Sequence, residues 1–112
     1  ALEGPFNGII VASGALEIDG AEPEKTIKAV TARAMADQFA VNAIGPALVL
    51  RHAARLLPRE GRSICAVLTA RVGSIGDNRI GGWTSYRAAK AAAIQLCLPR
   101  RPRRTSCLCW MG

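Results

Sequence analysis

At 112 residues the chain is long enough for one domain and no more. Half of it is apolar, enough to bury a core, yet no apolar run reaches the roughly 18 residues that cross a bilayer, so a membrane partner is not expected. The formal charge is +7, but four Arg fall in the last fourteen residues; without them eleven basic residues stand against eight acidic, or +3, and no basic face with interleaved aromatics marks a nucleic-acid binder.

The opening Ala-Leu-Glu-Gly-Pro-Phe has no initiator Met and no basic-then-apolar leader, and it reads like the interior of a longer protein. Gly8-Ile9-Ile10-Val11 is β-branched and apolar, then gives way to Ala12, Ser13 and Gly14. That pattern predicts a buried strand ending in a tight loop where a ligand or another backbone can approach. An ordinary strand-to-loop turn has the same pattern. Residues 17–28 are polar, with Gly20 and Pro23, and predict a loop holding one helical turn, with Pro23 opening it and Glu24 in its first turn.

Thr31 to Leu57 is the longest periodic stretch. Met35, Phe39, Ala43, Ala47, Leu50, Ala53 and Leu57 recur at three and four residues, predicting one amphipathic helix of about seven turns with Thr31 as N-cap. Gly45-Pro46 interrupts it. Pro46 has no N–H for the carbonyl of Asn42, which predicts a kink there. Asn42 then either takes part in a polar site or simply faces solvent. Pro58, Glu60 and Gly61 end the helix.

Arg62 to Ala70 predicts a second strand. It is apolar along most of its length, the pattern of a strand buried on both faces in a parallel sheet. A glycine-containing loop, Arg71 to Trp83, leads into an Ala-rich helix over Ser85–Leu98. Tyr86 and Lys90 sit four residues apart on that helix, so both project from one face. A nearby ammonium favours the phenolate, and a phenol so placed can give a proton to a carbonyl oxygen or take one from an alcohol. The same spacing also occurs on ordinary exposed helices. The strand–loop–helix order puts the pair at the carboxyl end of a parallel strand, where open α/β sheets bind ligands.

Residues 99–112 have no helical or strand period, and the Arg-Pro cluster predicts a basic, disordered tail beyond a domain at 1–98. Such a tail supports at most a weak, salt-sensitive contact with nucleic acid or anionic lipid. The cysteines Cys65, Cys97, Cys107 and Cys109, with His52 the sole histidine, lack zinc-ligand spacing, so no metal site is expected. Cys65 reads as a small buried hydrophobe, and a reducing cytoplasm is the expected compartment.

Four segments, taken in order, resemble the short-chain dehydrogenase/reductase family, and within it the sniffer-type carbonyl reductases and C-factor-like proteins. Ile10 to Leu16 is similar to its Asn-Ala-Gly strand end. Val41-Asn42-Ala43-Ile44-Gly45-Pro46 is similar to its Asn-bearing helix segment. Gly73-Ser74-Ile75-Gly76-Asp77-Asn78 with Gly81-Gly82-Trp83 resembles the subgroup's loop, and Tyr86-Arg-Ala-Ala-Lys90 its Tyr-x-x-x-Lys signature. The likeness spans roughly residues 8–96.

The resemblance implies a partial, doubly wound Rossmann-type α/β fragment in β-α-β-α order. It also implies reduction of a small-molecule carbonyl, or oxidation of an alcohol, with NAD or NADP. Tyr86 would be the general acid/base. Lys90 would lower its pKa and hold the nicotinamide ribose, Asn42 would hold a water in the proton relay, and Ser13 and Gly14 would line the cofactor cleft. The family's substrate-steadying Ser aligns with Ala70, leaving Ser74 as the substitute hydroxyl. Ala12 replaces the Asn of Asn-Ala-Gly. The glycine-rich phosphate loop and the segment after the Tyr-Lys helix have no counterpart, so the resemblance implies a piece truncated at both ends, with no activity expected from it alone. A competing reading is a non-catalytic module, or a homo-oligomer, that pairs through the two long helices.

Overall fold

The computed structural model describes residues 3–97 and 105–111. Strand β1 (Gly8–Val11) leads through a loop to α1 (Ala32–Phe39), a π-helical turn (Ala40–Ile44) and α2 (Gly45–Leu56). Strand β2 (Ser63–Thr69), α3 (Thr84–Leu96) and β3 (Thr105–Met111) follow. The three strands form one parallel sheet in the order β1-β2-β3. The expected α/β, Rossmann-like architecture is therefore present, with each pair of neighbouring strands joined through helix.

The long helix begins where expected: the Thr31 hydroxyl accepts from the Ala34 N–H at 3.2 Å. Its interruption takes a specific form. The N–H of Gly45 bonds the carbonyl of Ala40, five residues back, so one turn of the helix is widened just ahead of Pro46. The predicted apolar stripe faces the sheet and α3. Ala53, Leu57 and Cys65 form one buried cluster with Ile9 and Leu50 against it; Val11, Val67 and Cys97 form another, again with Leu50. Val67 is fully buried, a contribution of about 1.5–3 kcal/mol for one such side chain.

Three expectations need correction. Strand β2 is not buried on both faces: Ser63, Cys65, Val67 and Thr69 are buried while Ile64 is half-exposed. Helices α2 and α3 cover one face, and Ile10 and Ile64 stand on the other. Residues 17–28 hold an isolated bridge between Ile18 and Ala21, and a 3-10 turn comes only at Ile27–Ala29, so Pro23 opens no helix. Finally, the stretch expected to be a structureless tail contains β3, paired along all of β2 from Ser63 opposite Thr105 to Thr69 opposite Met111. Thr, Cys and Trp favour a pleated surface, a preference masked in the sequence by the preceding Arg-Pro cluster. The remainder of that tail, and the expected end of α3 at Leu98, lie outside the described residues. Among the described residues no helix is long and apolar enough to cross a membrane.

Candidate active site

The carboxyl end of β1 and the first two turns of α3 meet over the π-turn. Gly14 follows β1, and a Cβ added to it would lie 2.9 Å from the Lys90 Nζ and 3.1 Å from the Asn42 Oδ1. These three residues, far apart in sequence, thus share one small volume. Only a residue without a side chain leaves room there for the ammonium.

Asn42 is fully buried, and both the oxygen and the nitrogen of its amide are hydrogen-bonded to protein. Its Oδ1 accepts from the Ala15 N–H at 3.1 Å, and its Nδ2 donates to the Ala15 carbonyl at 2.9 Å and to the Gln38 Oε1 at 2.7 Å. Gln38 in turn donates to the Leu16 carbonyl at 2.8 Å. One helical turn separates Gln38 from Asn42, so two amides on one face clamp the loop after β1. Asn42 is neither solvent-facing nor free.

Lys90 is 5% exposed, and among the described residues no carboxylate lies within ion-pair distance of its Nζ. Burial pushes its pKa below the usual lysine range. Its Nζ lies over the Tyr86 ring, 5.7 Å from the centroid, within the range of a cation–π contact. Tyr86 is half-buried and its ring meets that of Trp83 edge-on at 6.2 Å. Burial raises the Tyr86 pKa above 10.0. The net direction is therefore opposite to the lowering implied by the resemblance, because the ammonium sits against the ring face while the ring is drawn out of water.

Ser74 is placed differently. It borders a groove of about 310 Å³ with Asn78, Thr84, Arg87 and Ala88. By helical phase, Thr84 and Ala88 face away from Tyr86 and Lys90. A second groove of about 390 Å³ is bordered by Lys25, Val72, Ile80, Trp83 and Arg87. Ser13 and Gly14 are exposed at the end of β1, open to a ligand. Ala70 occupies the residue immediately after β2.

Several supporting residues were not legible beforehand. Arg87 holds the loop before α3 by donating to the carbonyls of Gly82 (2.9 Å), Gly81 (3.2 Å) and Val72 (3.3 Å). Glu24 is buried against Ser85, 61 residues away, with no local pattern to announce it. Gln38 was findable, four residues before Asn42 on the same helical face. Among the described residues no cluster of three or more His, Cys, Asp or Glu forms a metal site.

No family model matches the chain. A curated relative, the 1-hydroxy-2-glutathionyl-2-methyl-3-butene dehydrogenase of Rhodococcus sp. (strain AD45), is 46% identical over 56 residues, which is 50% of this chain and 24% of the relative. Among solved structures, one described as a short-chain alcohol dehydrogenase from Burkholderia multivorans is 32% identical, with a TM-score of 0.70 over 82% of this chain and 40% of that one. A carbonyl reductase from Pseudomonas aeruginosa PAO1 superposes with a TM-score of 0.76 at 20% identity, over 95% of this chain and 47% of its own. The Sniffer carbonyl reductase of D. melanogaster gives 0.71 at 21% identity, over 83% of this chain and 40% of its own. The chain thus spans less than half the length of each of these proteins.

Proposed function

We propose that these residues form the proton-transfer half of a short-chain, NAD(P)-dependent dehydrogenase/reductase acting on a small carbonyl or alcohol. The observation that carries this reading is the buried ammonium of Lys90, without a carboxylate partner among the described residues and set beside Gly14 and the Tyr86 ring. A lysine so buried loses much of its hydration, and beyond the face of the Tyr86 ring a ligand hydroxyl would give it an acceptor. A ribose hydroxyl pair is such a ligand, and the exposed Ser13–Gly14 turn leaves it a path. These residues fit the nicotinamide end of a dinucleotide; a bound NAD(P)H would supply the hydride. Structures related to two of these neighbours were solved with NADP.

In that setting Tyr86 is the proton donor. A phenol whose pKa is raised by burial is fully protonated at neutral pH, ready to protonate a carbonyl oxygen as hydride arrives at the carbon. Lys90 stabilises the phenolate left behind. Asn42 acts through the fold, fixing the loop that carries Gly14; its main-chain carbonyl, denied an N–H by Pro46, is the atom left to hold a relay water. Ser74, bordering the groove on the other side of α3's first turn, would be the hydroxyl that steadies the substrate oxygen.

The test is nicotinamide absorbance with small aldehydes and ketones, run beside an ultraviolet titration of Tyr86, the only tyrosine in the chain. Turnover abolished by Tyr86→Phe supports the reading, and turnover indifferent to that substitution refutes it. Lys90→Met should lower the ionisation constant of Tyr86, since the ammonium beside the ring favours the phenolate. An unchanged titration would end the pairing, whatever the turnover. A second reading, association through the long helix, is favoured by Ile44 and Leu48, one turn apart and each about half exposed. Size-exclusion of Leu48→Glu against the parent chain tests it: a dimer dissociated by the substitution supports it, and a monomeric parent refutes it.

A further inference from the structure

Helix α3 carries the proposed chemistry in its first two turns but begins without a cap of its own. The first four N–H groups of any helix lack internal partners and need acceptors. The residue at the cap position is Trp83, which offers no acceptor and adopts a left-handed backbone with φ of 51°. Gly81 and Gly82 before it are also left-handed, at 73° and 68°. A left-handed Trp costs about 1–2 kcal/mol and persists only where its surroundings impose it.

The surroundings are supplied by Glu24, from the loop between β1 and α1. Its main-chain carbonyl accepts from the Trp83 N–H at 2.5 Å. Its carboxylate accepts from the Ser85 N–H at 3.3 Å and from the Ser85 hydroxyl. Glu24 and Ser85 are both buried, at 8% and 1% exposure. One residue thus fixes the two positions flanking the helix start, 83 and 85, immediately before Tyr86. The Trp83 ring, on the residue whose main chain Glu24 fixes, meets the Tyr86 ring edge-on.

We infer that Glu24 is the positioning residue for Tyr86, capping α3 from a remote loop and fixing the phenol against Trp83 and Lys90. The inference rests on the proposed role of Tyr86. Burial alone would push the Glu24 carboxyl up, but the Ser85 hydroxyl and the main-chain N–H groups of Glu24 and Ser85 outweigh it and hold the pKa below 4.5, so the group is ionised and a strong acceptor. The charge also suits the positive end of the helix.

The sole tyrosine makes the effect readable in the full chain without cofactor or turnover. The measurements are ultraviolet titration of Tyr86, its ring resonances after ¹³C-tyrosine labelling, and near-ultraviolet dichroism of the Trp83–Tyr86 pair. Glu24→Ala should loosen the first turn and hydrate the ring, raising the ionisation constant of Tyr86 as its pKa falls toward the ordinary value. Glu24→Gln keeps an acceptor on the same stem and should restore most of the parent signature. A folded Glu24→Ala chain with unaltered Tyr86 signals overturns the inference, as does Gln proving as disruptive as Ala. If Glu24→Ala does not fold, Ser85→Ala carries the test: it should move the same signals less far in the same direction, and no movement overturns the inference. Should Tyr86→Phe leave turnover intact, the proposed chemistry falls while these signals still report on Glu24.

Discussion

Gly73 is where the loop before α3 touches the helix, and Gly73→Ala measures how tightly the two are joined. A Cβ built there lies 2.8 Å from the Lys90 carbonyl carbon, 2.9 Å from the Lys90 Cβ and 3.0 Å from the Ala91 nitrogen. Ordinary carbon contacts lie at about 3.5–4.0 Å, so loop and helix must separate by roughly 0.7–1 Å. Two of the three atoms are backbone and the third is a Cβ, so no change of rotamer relieves the clash. Overpacking of this kind costs about 1–3 kcal/mol. The lost chain entropy of glycine in the unfolded state returns about 0.4–1 kcal/mol, since Gly73 is not left-handed. A net loss centred on about 1.3 kcal/mol remains, with an upper end of about 2.6 kcal/mol, worth up to roughly 20 °C in Tm for a domain of this size. Thermal and urea unfolding followed by far-ultraviolet dichroism give the number. A Gly73→Ala chain melting at or above the parent temperature would refute the close approach on which the placement of Lys90 depends.

Gly14→Ala should behave differently, because its new methyl meets side-chain ends, the Lys90 Nζ at 2.9 Å and the Asn42 Oδ1 at 3.1 Å, rather than backbone. Stability should change by less than about 1 kcal/mol while the ammonium is displaced and Tyr86 titrates differently; a large loss of Tm would contradict it. The pH dependence of stability follows from three groups. Glu24 lies below 4.5 when folded, so the unfolded chain binds more protons there. Its contribution is complete above about 4.5 and is lost as pH falls through the folded value, a slope that Glu24→Gln should flatten in acid unfolding curves. In alkali two groups oppose each other. Tyr86, raised above 10.0, keeps a proton that the unfolded chain releases, so stability falls as pH climbs from 10.0 to the folded value. Lys90, lowered below 10.5, gives up a proton that the unfolded chain keeps, so stability rises toward 10.5. Tyr86→Phe should remove the fall and Lys90→Met the rise.

Elements dictated by local periodicity were legible in the sequence. The stripe from Met35 to Leu57 specified a helix, and its cap at Thr31 needed only a hydroxyl three residues before a free N–H. The Tyr86–Lys90 face followed from helical spacing. Contacts made across long separations were not legible. Glu24 lies 61 residues from Ser85, so no local spacing announces that it caps α3. Strand β3 was obscured because Pro and Arg dominate the composition just ahead of it. The one-sided burial of β2 depends on which helices cover the sheet, and continuous hydrophobicity reads the same whether one face is covered or two. The direction of the Tyr86 pKa was missed for a similar reason: spacing reports that a charge is near, while burial is a property of the assembled site.

Asn42 separates a relay residue from a clamp. All three of its side-chain hydrogen bonds go to protein atoms, two to the main chain of Ala15 and one to Gln38. Both Nδ2 hydrogens are taken and one lone pair of Oδ1 is left, so the amide has no donor to offer a water or a substrate and its bonds tie the loop after β1 to the helix. Asn42→Asp keeps the acceptor for the Ala15 N–H but removes both donors and buries a charge at a position with no exposure. The Ala15 carbonyl and the Gln38 oxygen then face a carboxylate, and each lost partner costs about 1–3 kcal/mol. The loop bearing Gly14 should detach, with a loss of about 2 kcal/mol or more in urea unfolding and faster amide exchange at Ala15 and Leu16. A residue whose work was chemical would instead leave stability intact and alter only turnover. An Asn42→Asp chain as stable as the parent would therefore sink the clamp and return the amide to the reaction.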